Sequence, residues 1–326
     1  MKIQDIINHL TCPTCKSTLS FSEQSLSCQN NHLYPFLNGV AHILPDEFNV
    51  QLKSTSDIYG KLWTEDFDDF TNSKPTHWHY HEMQRVLSQK IVQGALGLEI
   101  GCGNGFDSHC MAQENPATNI IGIDVSTSIF FAQTYQKKRD NLFFLRASTT
   151  SLPFADNTFD FCYSYGVLHH LPNPFVGFEE MKRVLKPGAP FYLYLYEDHQ
   201  GSVFKYYPLK LISWIRHLST DLTPSQLKIL CTLLSPFIIV SFSWPSKVLN
   251  YFNKTKRLAS KMPFNFGKGL FSLKGDLYDR FGAPFEYRFS QNQLLNWYEK
   301  LSFENHFFTR LEKYAGWVTG AHKKSL

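Results

Sequence analysis

Between Gly97 and Tyr196 the chain alternates short apolar runs with longer mixed stretches. The runs Gly97–Gly101, Asn119–Val125, Asn141–Ala147, Phe159–Ser164 and Phe191–Tyr196 are nearly continuous in apolar residues, as strands buried on both faces are. The stretches between them predict helices over Asp107–Glu114, Thr127–Arg139 and Phe175–Lys186. Strand and helix in strict alternation imply a parallel sheet and an α/β fold. Farther on, Ser290 with Gln293 three residues later predicts a capping-box start for a helix that lines up Leu294, Leu295 and Tyr298. ENHFFTRL and AGWVTGAH then read as an antiparallel pair of strands.

Two regions depart from this rhythm. From 199 to 275, FKYYPLKLISWIRHL places apolar residues at helical spacing with Lys and Arg opposite, and Ile229–Ser246 is an uncharged run of eighteen residues. Pro236 is expected to break that run, and with Trp214 and Trp244 it argues against a single spanning helix. Two readings stand: a helical lid with its apolar face buried, or an interfacial surface, within 204–258, that makes peripheral membrane contact and admits an apolar acceptor. From 49 to 93, a connector and helical cap, Tyr59 and Trp63 share a helical face. His77, His79 and His81 alternate, but a helix beginning near His81 would scatter them, so a solvated or substrate-side loop is favoured over a metal site.

The N-terminal 48 residues carry Cys12-Pro-Thr-Cys15, then Cys28 and His32. Two such half-sites on tight turns can set three thiolates and an imidazole around Zn2+, which would supply folding energy that so thin a core cannot. Between them KSTLSFSEQSLS reads as a hairpin with Leu19, Phe21 and Leu26 on its apolar face.

The chemistry is densest at LEIGCGNG. The strand ends in Gly101, Gly103 and Gly105 at every second position, which permits a sharp turn and a close backbone approach to a ligand. Nineteen residues past Gly105 the next run ends in Asp124, where a doubly wound fold places the carboxylate that grips a ribose diol. The third glycine falls one residue earlier than in the dinucleotide fingerprint, and Glu99 just ahead of the loop would repel phosphate but hold an ammonium, so the cofactor is expected to be cationic.

LEIGCGNG with GIDVS resembles motifs I and II of class I S-adenosylmethionine-dependent methyltransferases. SLPFADNTFD, YSYGVLHHL and RVLKPGA follow in that family's order, over roughly Ala95–Glu197. The resemblance implies a Rossmann-like sheet in an S-adenosylmethionine-binding core at 94–198, with a C-terminal helix and closing antiparallel strands at 276–326. It also implies roles: Glu99, Gly101, Cys102, Gly103 and Gly105 around the methionine half, Asp124 on the ribose, Val125 against adenine, and Tyr165 in the gap towards the acceptor. The family often has Asp after the third strand. Ala147-Ser148-Thr149 stands here instead, and Ser148 and Thr149 are assigned to the adenine amine by likeness to a guanine-methylating ribosomal RNA enzyme. That enzyme also carries a zinc ribbon like residues 1–48. His169 and His170 are the candidates for a general base, with a structural or cofactor-side role equally open. Tyr278, Phe281 and Tyr287 are placed near an acceptor pocket by position alone.

Composition narrows the picture little. Lys and Arg exceed Asp and Glu by only four, so electrostatics makes no strong case for nucleic acid. Seven cysteines, three of them before residue 30, favour metal over disulfides, and the polar N-terminus is read as that of a cytoplasmic protein. The expectation is a methyltransferase acting on a small, apolar or aromatic molecule. Its rivals are an RNA base methyltransferase, with RNA as partner, and a non-catalytic zinc-ribbon partner protein. Nothing in the sequence marks an obligate protein partner.

Overall fold

The computed structural model describes residues 2–45, 50–64, 79–135, 139–200, 206–207, 210, 213–214, 216, 219, 222–259, 270–311 and 316–325. In chain order the elements are α1 (Ile3–Ile6), β1 (Leu19–Ser22), β2 (Ser25–Cys28), β3 (Leu33–Leu37), β4 (Val40–Ile43), α2 (Val50–Leu62), α3 (His79–Val86), β5 (Leu96–Ile100), α4 (Phe106–Glu114), β6 (Asn119–Asp124), α5 (Ser128–Tyr135), β7 (Leu142–Ala147), β8 (Phe161–Tyr165), α6 (Pro174–Val184), β9 (Pro190–Tyr196), α7 (Pro224–Ile238), α8 (Trp244–Tyr251), α9 (Lys256–Ala259), α10 (Leu270–Gly282), α11 (Gln291–Lys300), β10 (Phe303–Arg310) and β11 (Gly316–Lys323). They form two compact units. The first holds 1–56, 72–197 and 285–326, and the second holds 57–71 and 198–284.

The first unit is a Rossmann-like α/β fold on one sheet ordered β1-β2-β3-β4-β7-β6-β5-β8-β9-β11-β10. The five predicted core strands are its parallel centre, each within two residues of its expected ends. Burial runs almost unbroken along them, since both faces are covered. The antiparallel closing pair is present too, with β11 set between β9 and β10. At α11, Ser290 Oγ accepts from Gln293 N–H at 3.1 Å, and the cap is this single bond.

The N-terminal segment is built into this sheet. β1 and β2 are the expected hairpin, and β3 and β4 continue it. β4 then pairs in parallel with β7, Ala41 against Leu145 and Ile43 against Ala147. Thr11 N–H donates to Pro153 O and Ala155 N–H to His9 O, tying the start of the chain to the loop after β7.

Within the second unit, Leu227, Cys231, Ile238 and Ile239 pack with Ile58, Leu62, Leu273, Leu277 and Tyr278. Here the expectation for Pro236 fails. Helix continues from Pro224 to Tyr251 as one rod of 28 residues. Pro236 lies inside α7, and a π turn at Ile239–Ser243 follows, in which Trp244 N–H reaches back to Ile239 O. Proline removes one ladder donor and crowds the carbonyl four residues earlier, and a wider turn just beyond it is a known way to absorb that misfit. The helix begins in a full capping box between Thr223 and Gln226.

Candidate active site

The glycine loop folds as its residues dictate. Gly101, Gly103 and Gly105 have φ of +74°, +53° and +77°, the left-handed region that disfavours a side chain. A Cβ on Gly101 would also fall 2.2 Å from Val167 Cγ2, so the turn closes against the segment after β8. Gly101 and Cys102 donate their N–H groups to Ile123 O, which draws the loop over the end of β6.

Asp124 sits at that end, 9% exposed. Its Oδ2 accepts from Gly103 N–H and its Oδ1 from Ser126 N–H, both at 2.8 Å. Each oxygen keeps a second lone pair, so a fixed carboxylate can still take two hydroxyls of a diol. Ser128 Oγ donates to Gly103 O and steadies the same turn.

Glu99 is 3% exposed and accepts from the Ser108 hydroxyl. Burial, with Asp107 and then Asp124 nearby, pushes its carboxyl well above the usual range. Asp107 was not anticipated. It is buried at the first turn of α4, accepts from Tyr80 N–H at 3.1 Å, and lies 3.4 Å from both His79 Nδ1 and the Tyr163 hydroxyl. The carboxyls of Asp107, on α4, and Asp124, at the end of β6, both bear on buried Glu99, and a sulfonium or ammonium brought among them relieves that cost. The donor set thus fits the cationic methionine half of S-adenosylmethionine. The missed signal was FDS directly after the loop, two polar residues opening a helix that would otherwise be apolar there.

The other expected residues lie around this centre. Cys102 is buried, and burial, then Asp124, pushes its thiol far up, so it stays protonated. Val125 is half-buried and its carbonyl accepts from Arg146 Nε. Ser148 Oγ accepts from Thr150 N–H and lies 2.8 Å from the Thr150 hydroxyl, so its capacity for an adenine amine is largely spent locally. Thr149 is buried beside it.

The ends of β8 and β9 carry an aromatic wall. His79 stacks on Tyr165 at 4.0 Å, Tyr165 on Tyr194 at 4.4 Å, and His169 on Tyr196 at 3.8 Å. Next to Tyr165, Gly166 has φ +75°, and beyond its chain neighbours no atom of the described residues lies within 4 Å of where a Cβ would stand. His169 is fully buried, burial drives it well below 6.5, and neither ring nitrogen has a hydrogen-bond partner among the described residues. His170 is different: its Nδ1 lies 2.8 Å from Phe285 O, a structural tie. Of the histidine trio, His77 lies outside the described residues. His79 and His81 diverge on α3, His81 meeting Glu114 at 2.6 Å. Tyr287 N–H donates to His169 O, whereas Tyr278 and Phe281 belong to the second unit's apolar cluster.

The cysteine set also assembles. The ligand atoms of Cys12, Cys15, Cys28 and His32 lie within 4.8 Å of one another. Cys15 Sγ is 3.6 Å from Cys28 Sγ, and His32 Nδ1 is 3.2 Å from Cys28 Sγ and 3.5 Å from Cys12 Sγ. A tetrahedron about zinc has S–S and S–N edges of about 3.6–3.8 Å, so the set fits Zn2+ with little movement. The Ser17 hydroxyl and N–H hold the Cys15 thiol down to about 5, in the ligating thiolate form.

Parts of the chain are similar to known proteins. A family model described as a methyltransferase domain matches residues 98–193. The sterol 24-C-methyltransferase of Pneumocystis carinii (strain B80) is 29% identical over 151 residues, covering 43% of this chain and 39% of that protein. The demethylmenaquinone methyltransferase of Lactiplantibacillus plantarum is 33% identical over 129 residues, 38% of this chain and 54% of that one. Human N-acetylserotonin methyltransferase, solved in complex with S-adenosylmethionine, superposes with a TM-score of 0.49 at 11% identity, over 85% of this chain and 60% of that one. The chain therefore spans about half or less of the length of these curated relatives.

Proposed function

We propose that this protein, whose residues 98–193 match a methyltransferase domain, is a class I S-adenosylmethionine-dependent methyltransferase that transfers the cofactor's methyl group to a small, apolar or aromatic acceptor. The observation that carries the acceptor class is the aromatic wall of Tyr165, Tyr194, Tyr196 and His169 at the ends of β8 and β9. Stacked on one another, these rings present their edges to a site, and a wall of aromatic carbon favours a flat or apolar partner over a charged one. The relatives named for sterol and demethylmenaquinone methylation point the same way.

S-adenosylmethionine, when bound, supplies a methyl on sulfur with a good leaving group already in place. The chain's own residues then have to bind, orient and exclude water. Asp124 grips the ribose hydroxyls; Glu99 and Asp107 hold the positive end; the glycine loop lets backbone approach. His169, fully buried with its imidazole held well below 6.5, is a poor base near neutral pH, so transfer rests on alignment of methyl and acceptor. The Cys12, Cys15, Cys28 and His32 set would hold a structural Zn2+.

The test incubates protein with cofactor carrying a radioactive methyl group and an extract of cells lacking the protein. Label is then counted in organic-soluble, protein and RNA fractions. Label in the organic fraction, abolished in Asp124→Ala along with cofactor binding, is expected. Label in RNA would select the rival base-methylating role, and transfer unchanged in Asp124→Ala would remove the ribose clamp.

A further inference from the structure

The chain's modest net charge hides an uneven distribution. Residues 201–275 contain eleven Lys and Arg and one acid, Asp221, a net +10, against −6 for the rest of the chain. That basic segment contains the long helix Pro224–Tyr251. One side of the helix is buried, through Leu227, Cys231, Ser235 and Ile238. The opposite side shows Ile229, Leu233, Phe237, Val240, Trp244 and Val248, each 58–72% exposed, at spacings of four, four, three, four and four residues. They make one apolar stripe the length of the helix. Lys228 stands near its start, and Lys247, Lys254 and Lys256 towards its end are exposed.

We infer that the second unit docks on an anionic lipid surface, with the Pro224–Tyr251 helix lying in the plane of the interface. An apolar stripe flanked by lysines, with Trp244 in its row, suits the boundary between acyl chains and phosphate headgroups. A spanning helix would need lipid on all sides, but this one is committed to protein along its inner face, with Ser235, Ser243 and Ser246 buried there. A second copy is a poor occupant, since pairing the stripes would bring two +10 segments together. Nucleic acid would meet the charge but leave the apolar stripe in water. The inference rests on the second unit alone, so it stands or falls separately from the acceptor assigned above.

The full chain should co-sediment with vesicles of equal parts phosphatidylglycerol and phosphatidylcholine and stay soluble with phosphatidylcholine alone. High salt should weaken that binding strongly. Two double variants, Leu233→Glu/Phe237→Glu on the stripe and Lys254→Glu/Lys256→Glu on the flank, should each cut vesicle binding about tenfold or more while circular dichroism and melting stay unchanged. Absence of sedimentation with either vesicle would overturn the inference. So would a dimer in solution that the stripe variant converts to monomer, or binding equal for both vesicles and both variants.

Discussion

His42 and Arg146 face each other across the β4–β7 ladder, and the burial of His42 there sets one pH response. Burial, with the guanidinium second, holds the His42 imidazole down to about 4, against 6.5 unfolded. The unfolded chain therefore binds a proton that the native chain refuses once pH drops below 6.5. Stability attributable to this group is intact above pH 6.5 and is lost progressively down to about 4, with His169 adding in the same direction. Thermal melts across that window should show a falling melting temperature, and His42→Gln should flatten the slope; an unchanged slope would remove His42 as the cause. At this scale the glycine loop and Asp124 could be read from sequence, because each stands at a strand end in a pattern no simple turn requires. Asp107 and His79 could not, since their meeting depends on packing α3 on α4.

Not every stretch that resembles a family motif lies at the carboxyl ends of the strands. Arg183, from RVLKPGA, makes a two-pronged pair with Glu180 and donates to Phe154 O and Leu152 O, thereby holding the SLPFADNTFD segment in shape. Asp160 closes that segment, accepting from Ala95 and Leu96 N–H at the start of β5 and from Lys186 Nζ. Asp160→Ala leaves those donors unmet, which costs about 1–3 kcal/mol and lowers the melting temperature by several degrees. Cofactor affinity, measured by calorimetry, should hardly change, because the brace lies at the opposite end of β5 from the glycine loop. Elements as such were well forecast where apolar runs were long. Pro236 misled because its local rule is to stop helices, and here the following π turn and the packing of α7 on α10 override it.

On the scale of the molecule, eleven strands join the cysteine-rich segment to the core as one sheet. Its pairing with β7 had no signature in sequence, because parallel partners a hundred residues apart share only apolar character. Chelating the proposed zinc should therefore lower the melting of the whole first unit in one transition, reproduced by Cys15→Ser/Cys28→Ser; a separate early transition for the N-terminal segment would contradict a shared sheet. The same ladder orders events on the ribosome. Residues 40–43 emerge first and find no neighbour on that side until residues 142–147 are made. Metal capture can set the small hairpin early, yet its open edge must wait out the synthesis of three further strands and helices, the interval in which this chain is most prone to pair with the wrong one.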